Sequence, residues 1–170
     1  MSSEQAFVEL ATARGPALFR TAWLLTGDFH LAEDLVQEAL GRIYARWSKV
    51  AAADQPAAYA HTVLVHAFLS HRRRRSSTER PSDTSGPAGL GDRAGADDDV
   101  ALRVALLTAL GHLDRLDRAV VVLRYWDDLD APATAALVGL SPAAVRTRCS
   151  RALARLRAVL GDDLADLLAR

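Results

Sequence analysis

The stretch DAPATAALVGLSPAAVRTRCSRALARLRAVL, residues 130–160, reads as two helices around a tight turn. Asp130 has the short acceptor side chain of an N-cap, Gly139 tolerates the positive φ that ends a helix, and Ser141-Pro142 is a cap followed by proline at the first helical position. That order is the grammar of a helix-turn-helix. At 100° per residue, Val145, Cys149, Ala152, Leu153, Leu156, Val159 and Leu160 fall in one apolar arc of the second helix, roughly 120° wide. Thr147, Ser150 and Arg151 centre the opposite face, with Arg146 and Arg157 on one flank and Arg148 and Arg155 on the other. A helix lying in a major groove reads bases from its N-terminal positions while peripheral arginines hold phosphates. Arg146, Thr147 and Arg151 are therefore the expected base-reading residues, with Arg148, Ser150 and Arg155 completing the DNA-binding set.

The rest of the chain is also written for helices. Half of its 170 residues are apolar and only 6% are aromatic, with Ala and Leu abundant, a composition that favours helix over sheet. An all-α fold of two small helical domains is expected. The division falls at residues 76–96, where Pro, Gly, Ser, Thr and Asp lack any apolar period and bury too little to offset their ordering entropy. This segment is expected to be a flexible acidic linker between a first domain over residues 1–75 and a second over 97–161, with 162–170 as a C-terminal tail. Four glycines in it do not make a phosphate loop, since no Lys-Ser or Lys-Thr follows and no strand precedes.

Net charge is zero, but the charges are segregated. Residues 1–75 carry nine basic and seven acidic groups, 76–100 two and six, and 101–170 ten and eight. Local clusters at Arg72–Arg75 and Arg146–Arg157 matter more to a polyanion than the sum does.

In the first domain, three helices are expected, over about 4–25, 28–47 and from Pro56 into the arginine run, the first bent at Gly15-Pro16 and ended by Gly27. The second places Ala32, Val36, Ala39, Leu40, Ile43 and Trp47 on one side. Leu31 and Leu35 fall outside that arc, beside Asp34, Glu38 and Arg42, which marks a face where another protein docks or where the first helix lies. On the third helix Tyr59, Val63, Leu64, Ala67 and Phe68 form the expected core side, and Thr62, His66, Leu69 and Arg73 run in a narrow polar line suited to a nucleic-acid strand.

Several chemistries are excluded. Cys149 is the only cysteine, His61, His66 and His71 point in different directions at five-residue spacing, and no activated nucleophile or paired catalytic carboxylates occur. An enzyme, a metal centre and a bound cofactor are not expected. No apolar run approaches the ~18 residues of a membrane span and the N-terminus lacks the order of a signal peptide, so a cytoplasmic, nucleoid-associated protein without a membrane segment is expected.

Three blocks, LTGDFHLAEDLVQEAL (25–40), the helix 59–75, and LRYWDDL through VGLSPAAVRTRCSRALARLR (123–157), resemble the sigma-70 superfamily, in particular its small extracytoplasmic-function group and SigE-like actinobacterial branch. The resemblance implies a sigma factor that binds core RNA polymerase, directs it to promoters and assists DNA melting. It further implies that Leu31, Asp34, Leu35, Gln37 and Glu38 dock on the clamp helices of the largest polymerase subunit. Tyr59, Thr62, His66, Arg72 and Arg73 would bind the melted non-template strand of the minus-ten element, and the final helix would read the minus-thirty-five element as duplex. The linker would thread toward the active-site cleft and RNA exit path. Whether an anti-sigma factor is a further partner is left open. The family usually has Trp where this chain has Tyr59 and Asn where it has His66, while Asp130, Pro132, Ala133 and Thr134 replace a commoner Ser, acidic, Glu, Ile pattern, with Thr134 expected to weaken a core contact. The competing readings are a helix-turn-helix regulator that never enters polymerase and a sigma-like protein that sequesters a regulator.

Overall fold

Five of the described helices start on a side chain whose oxygen replaces a missing backbone acceptor: Ser2, Asp28, Asp114, Asp130 and Ser141. Ser2 and Gln5 form a reciprocal capping box, with the Gln5 N–H donating to Ser2 Oγ at 3.1 Å and the Ser2 N–H to Gln5 Oε1 at 2.8 Å. It opens α1 (Ser3–Thr26), which Gly27 closes in the left-handed region at φ 74°. Pro16 sits within this single helix. Asp28 accepts from the Leu31 N–H at 2.8 Å and opens α2 (Phe29–Tyr44). The chain then forms a short helix, α3 (Trp47–Ala51), where the sequence reading ran the second helix on to Trp47. Helix α4 (Pro56–Ser70) begins on proline. After it come α5 (Asp97–Gly111), α6 (Arg115–Tyr125, capped by Asp114), α7 (Ala131–Val138), α8 (Pro142–Leu160) and α9 (Asp163–Leu168).

This is a computed structural model that describes residues 2–53, 55–70 and 97–168. The expected linker, His71 and Arg72–Arg75 lie outside the described residues. Among the described residues every regular element is a helix, in agreement with the all-α expectation.

Helices α1, α2 and α4 pack on one another through Leu18, Ala22, Leu25, Ala32, Ile43, Leu64 and Phe68. Trp47 and Val50 of α3 close one end, where Phe7 lies 4.9 Å from Tyr44 and 5.4 Å from Trp47 between ring centroids. In the second unit α6 is the central element: Ala119 through Leu123 are all buried, a continuous run possible because α7 and α8 pack on it from its own unit and α1 and α4 from the first. Helix α9 packs on α8 with Leu164 buried, so the expected C-terminal tail contains a docked helix. Val159, expected in the core arc of α8, is 57% exposed, because that arc is wider than the contact α5, α6 and α7 make with it.

The two units touch. Helix α1 packs on α5 and α6, and α4 packs on α6 and α7. The sequence left the relative placement of the two domains open; among the described residues they are in contact, partly through polar bonds between units that no single helix pattern encodes.

Candidate nucleic-acid and partner interfaces

The turn between α7 and α8 is built as the sequence implies. Asp130 Oδ1 accepts from the Ala133 N–H at 2.7 Å, Gly139 ends α7 at φ 71°, and Ser141 Oγ accepts from the Ala144 N–H at 3.2 Å. Val145, Cys149, Ala152, Leu153, Leu156 and Leu160 anchor α8. Its outward face presents Arg146, Thr147, Ser150 and Arg151 to solvent. The other edge is different. Arg148 donates to Asp117 Oδ1 at 2.6 Å and stands 3.8 Å from Asp114, while Arg155 reaches to 3.7 Å from Asp117 Oδ2. Asp117 is only 6% exposed, so its carboxylate depends on these arginines. Burial pushes the Asp114 carboxyl up, but the Asp117 N–H and side chain, Arg148 and the Leu116 N–H outweigh it and hold the group below its ordinary range. Four of the expected residues thus face solvent, and Arg148 braces α8 against the start of α6. Asp114 and Asp117 were missed from sequence because they lie thirty residues before the arginines they meet.

Beside Arg146 a cavity of about 300 Å³ is bordered by Arg124, Tyr125, Cys149 and Arg157. Burial pushes the Cys149 thiol up, opposed in part by Arg124, and burial likewise pushes the Tyr125 phenol up. Thr134 is fully buried and its hydroxyl has no hydrogen-bond partner among the described residues, which gives the departure noted in the sequence a physical form.

On α4 the buried residues are Ala60, Leu64, Val65, Ala67 and Phe68, with Tyr59 and Val63 only half-buried. The Thr62 hydroxyl donates back to the Ala58 carbonyl at 3.0 Å. His66, on the expected strand-binding line, places Nε2 2.9 Å from the Leu137 carbonyl of α7. Arg72 and Arg73 lie outside the described residues.

On α2, Asp34 and Gln37 are exposed, Leu31 is half-buried, and Glu38 accepts from Arg42 at 2.6 Å. Leu35 is 3% exposed, which corrects its placement on an open docking face. The buried side of α2 (Ala32, Leu35, Ala39, Ile43) is turned about 45° from the arc read in sequence, taking 100° per residue. The cause is that α2 has two main packing partners, α1 and α4, and the stripe it buries faces both. Leu31, Asp34 and Leu35 nonetheless border one cavity of about 290 Å³, closed on its far side by Leu113, Arg115 and Arg118 of the second unit.

Those arginines carry much of the contact between units. Arg118 Nε donates to the Leu110 carbonyl at 2.6 Å and Arg118 NH1 to the Leu25 carbonyl at 2.7 Å, so one guanidinium satisfies the ends of α5 and α1 together. Burial, then the nearby Arg115 charge, lowers its pKa to about 10. Arg115 donates to the Phe68 carbonyl and lies 4.2 Å from the Phe68 ring centroid. Asp127, just past α6, accepts from the Thr21 hydroxyl on one oxygen at 2.7 Å and meets His61 Nε2 on the other at 2.9 Å.

Comparisons with known proteins fit this arrangement. Residues 10–78 match the family Sigma-70 region 2, and residues 103–156 match Sigma-70, region 4. The RNA polymerase sigma-E factor of Streptomyces antibioticus is 37% identical over 164 residues, covering 96% of this chain and 88% of that protein. The sigma-E factor of Streptomyces coelicolor is 35% identical over 89% of this chain and 84% of its own length. A crystal structure of the sigma factor RpoE in complex with the anti-sigma factor NepR from Bartonella quintana superposes with a TM-score of 0.73 at 25% identity, over 94% of this chain and 99% of that one. The chain belongs to the sigma-70 family of RNA polymerase sigma factors.

Proposed function

We infer that this chain binds core RNA polymerase, directs it to specific promoters and assists their melting. The observation that carries the reading is that region 2 and region 4 sequences occur in order on one chain, with a basic α8 face left open to solvent. A regulator of the helix-turn-helix kind alone would leave α1–α4 without a purpose. We assign duplex reading of the upstream element to Arg146, Thr147, Ser150 and Arg151, with Arg155 at the phosphate edge and Arg148 mainly positioning the helix. The unpaired strand of the downstream element falls to Tyr59, Thr62 and His66, with Arg72 and Arg73 beyond the end of α4. Polymerase docking falls to Leu31, Asp34, Gln37 and Glu38, with Leu35 supporting them from beneath. An anti-sigma factor is a fitting further partner, given the complex in which the RpoE neighbour was solved. The place of work is the cytoplasmic nucleoid, and no catalytic activity of the chain's own is required.

Run-off transcription with purified core polymerase and a panel of candidate promoters tests the reading. Promoter-specific transcripts that depend on this chain are expected. A chain that neither binds core polymerase nor yields any transcript from the panel is not acting as a sigma factor.

A further inference from the structure

The cavity bordered by α2 on one side and α6 on the other has mostly apolar walls, built by Leu25, Leu31, Leu35, Phe68 and Leu113. Its charged lining residues are Asp34, Arg115 and Arg118. Arg118 spends Nε and Nη1 on the Leu110 and Leu25 carbonyls and pairs with no carboxylate among the described residues. Its remaining amino group, Nη2, has no acceptor among them either. That group lies between Gly27 and Gly111, where an added Cβ would come within 3.9 and 3.2 Å of it, so neither residue caps it with a side chain. Burial and the nearby Arg115 charge lower the Arg118 pKa to about 10, the behaviour of a cation short of negative neighbours. We propose that this cavity is a binding site for a small anionic amphiphile, a carboxylate with an apolar body, whose head accepts from Arg118 Nη2 while its body lies on the leucines and Phe68.

Charge and size agree on that class. A carboxylate accepts a charge-assisted bond from a guanidinium, stronger than a neutral one, and it supplies the negative charge that Arg118 lacks. Arg115 is held by the Phe68 carbonyl and ring, so it adds positive charge at the same end without turning to the ligand. Asp34 lies on the α2 wall, where it repels an anionic head and so directs it toward Arg118. A volume of about 290 Å³ is at the small end of ligand sites and holds roughly ten non-hydrogen atoms. A bare hydrocarbon would leave Nη2 unpaired, and a bare anion would leave the leucine walls wet. Leu31 and Asp34 are also assigned to polymerase docking, so an occupant of the cavity competes with polymerase. That coupling rests on the sigma-factor reading, whereas the site itself does not.

The test uses the full chain and octanoate, a carboxylate that matches the cavity in size. Octanol is its uncharged counterpart and inorganic phosphate an anion without a body, all at one ionic strength. Octanoate is expected to bind with a Kd of about 0.1–1 mM and to raise Tm by a few degrees at saturation. Octanol and phosphate should bind about tenfold more weakly or worse. Arg118→Gln removes the cation and should weaken octanoate binding about tenfold or more. Gly111→Leu, which crowds Nη2 from an exposed helix end, should abolish that binding at unchanged helicity and serves if the Arg118 variant fails to fold. At saturation, octanoate should slow association of the wild-type chain with core polymerase about threefold or more, and leave the Gly111→Leu rate unchanged. No octanoate binding up to about 10 mM, octanol or phosphate binding as tightly, or variants that bind octanoate like wild type would each overturn the site. Bound octanoate without effect on polymerase association overturns the coupling. Failure of the untreated chain to bind polymerase counts against the sigma reading instead, since octanoate binding is measured without polymerase.

Discussion

Leu35 marks where a one-dimensional pattern and a three-dimensional core part company. Its position outside the apolar arc of α2 suggested an open docking residue, yet it is buried beside the contact of α2 with α4. Leu35→Ala is expected to destabilise the fold by about 2–4 kcal/mol, as for other buried leucines. Leu31→Ala, at a half-buried site, should cost under about 1.5 kcal/mol while weakening binding to core polymerase. Paired unfolding and binding measurements check this; equal destabilisation by the two would mean both are core residues. Thr134 was legible in sequence as an oddity, and the structure turns it into a buried hydroxyl without a partner among the described residues. Replacing it with the isosteric Thr134→Val removes an uncompensated polar group, so stability should rise by about 1 kcal/mol, read as an increase of a few degrees in Tm. A loss of stability would mean that the hydroxyl is satisfied in solution.

At the scale of the element, α8 was the most readable part of the molecule because its caps, its apolar stripe and its arginines all lie within one continuous segment. What the segment could not reveal is that its arginines divide into two kinds. Arg148 faces the nearly buried Asp117, whereas Arg151 faces water. Arg148→Ala should therefore destabilise the second unit by about 1–3 kcal/mol, the part-exposed guanidinium keeping the loss below that of a fully buried pair. Arg151→Ala should leave unfolding unchanged and lower affinity for duplex upstream DNA about tenfold or more, in line with one lost groove contact. Thermal unfolding and duplex binding of both variants separate the roles, and an Arg151 variant that melts early would show that this residue too is structural.

For the whole molecule, reading a paired element and an unpaired one requires two surfaces that act at different moments. On holoenzyme with a pre-melted promoter, Arg151→Ala should behave nearly as wild type, whereas His66→Ala should lose activity; on fully duplex upstream DNA the order should reverse. Equal losses on both templates for both variants would sink this division. The sequence alone determined the helical class, the positions of the main caps, the helix-turn-helix and the family, because each depends on residues within a few turns of one another or on motifs in order along the chain. Only the tertiary structure decided that α2 is rotated to bury Leu35, that Asp117 braces α8, and that Thr21, His61 and Asp127 close one unit on the other. The last two depend on residues thirty to more than a hundred positions apart, and the first on how α2 is shared between two other helices. Periodicity reports which side of a helix is apolar, and it carries no information about which distant helix arrives there or with what charge.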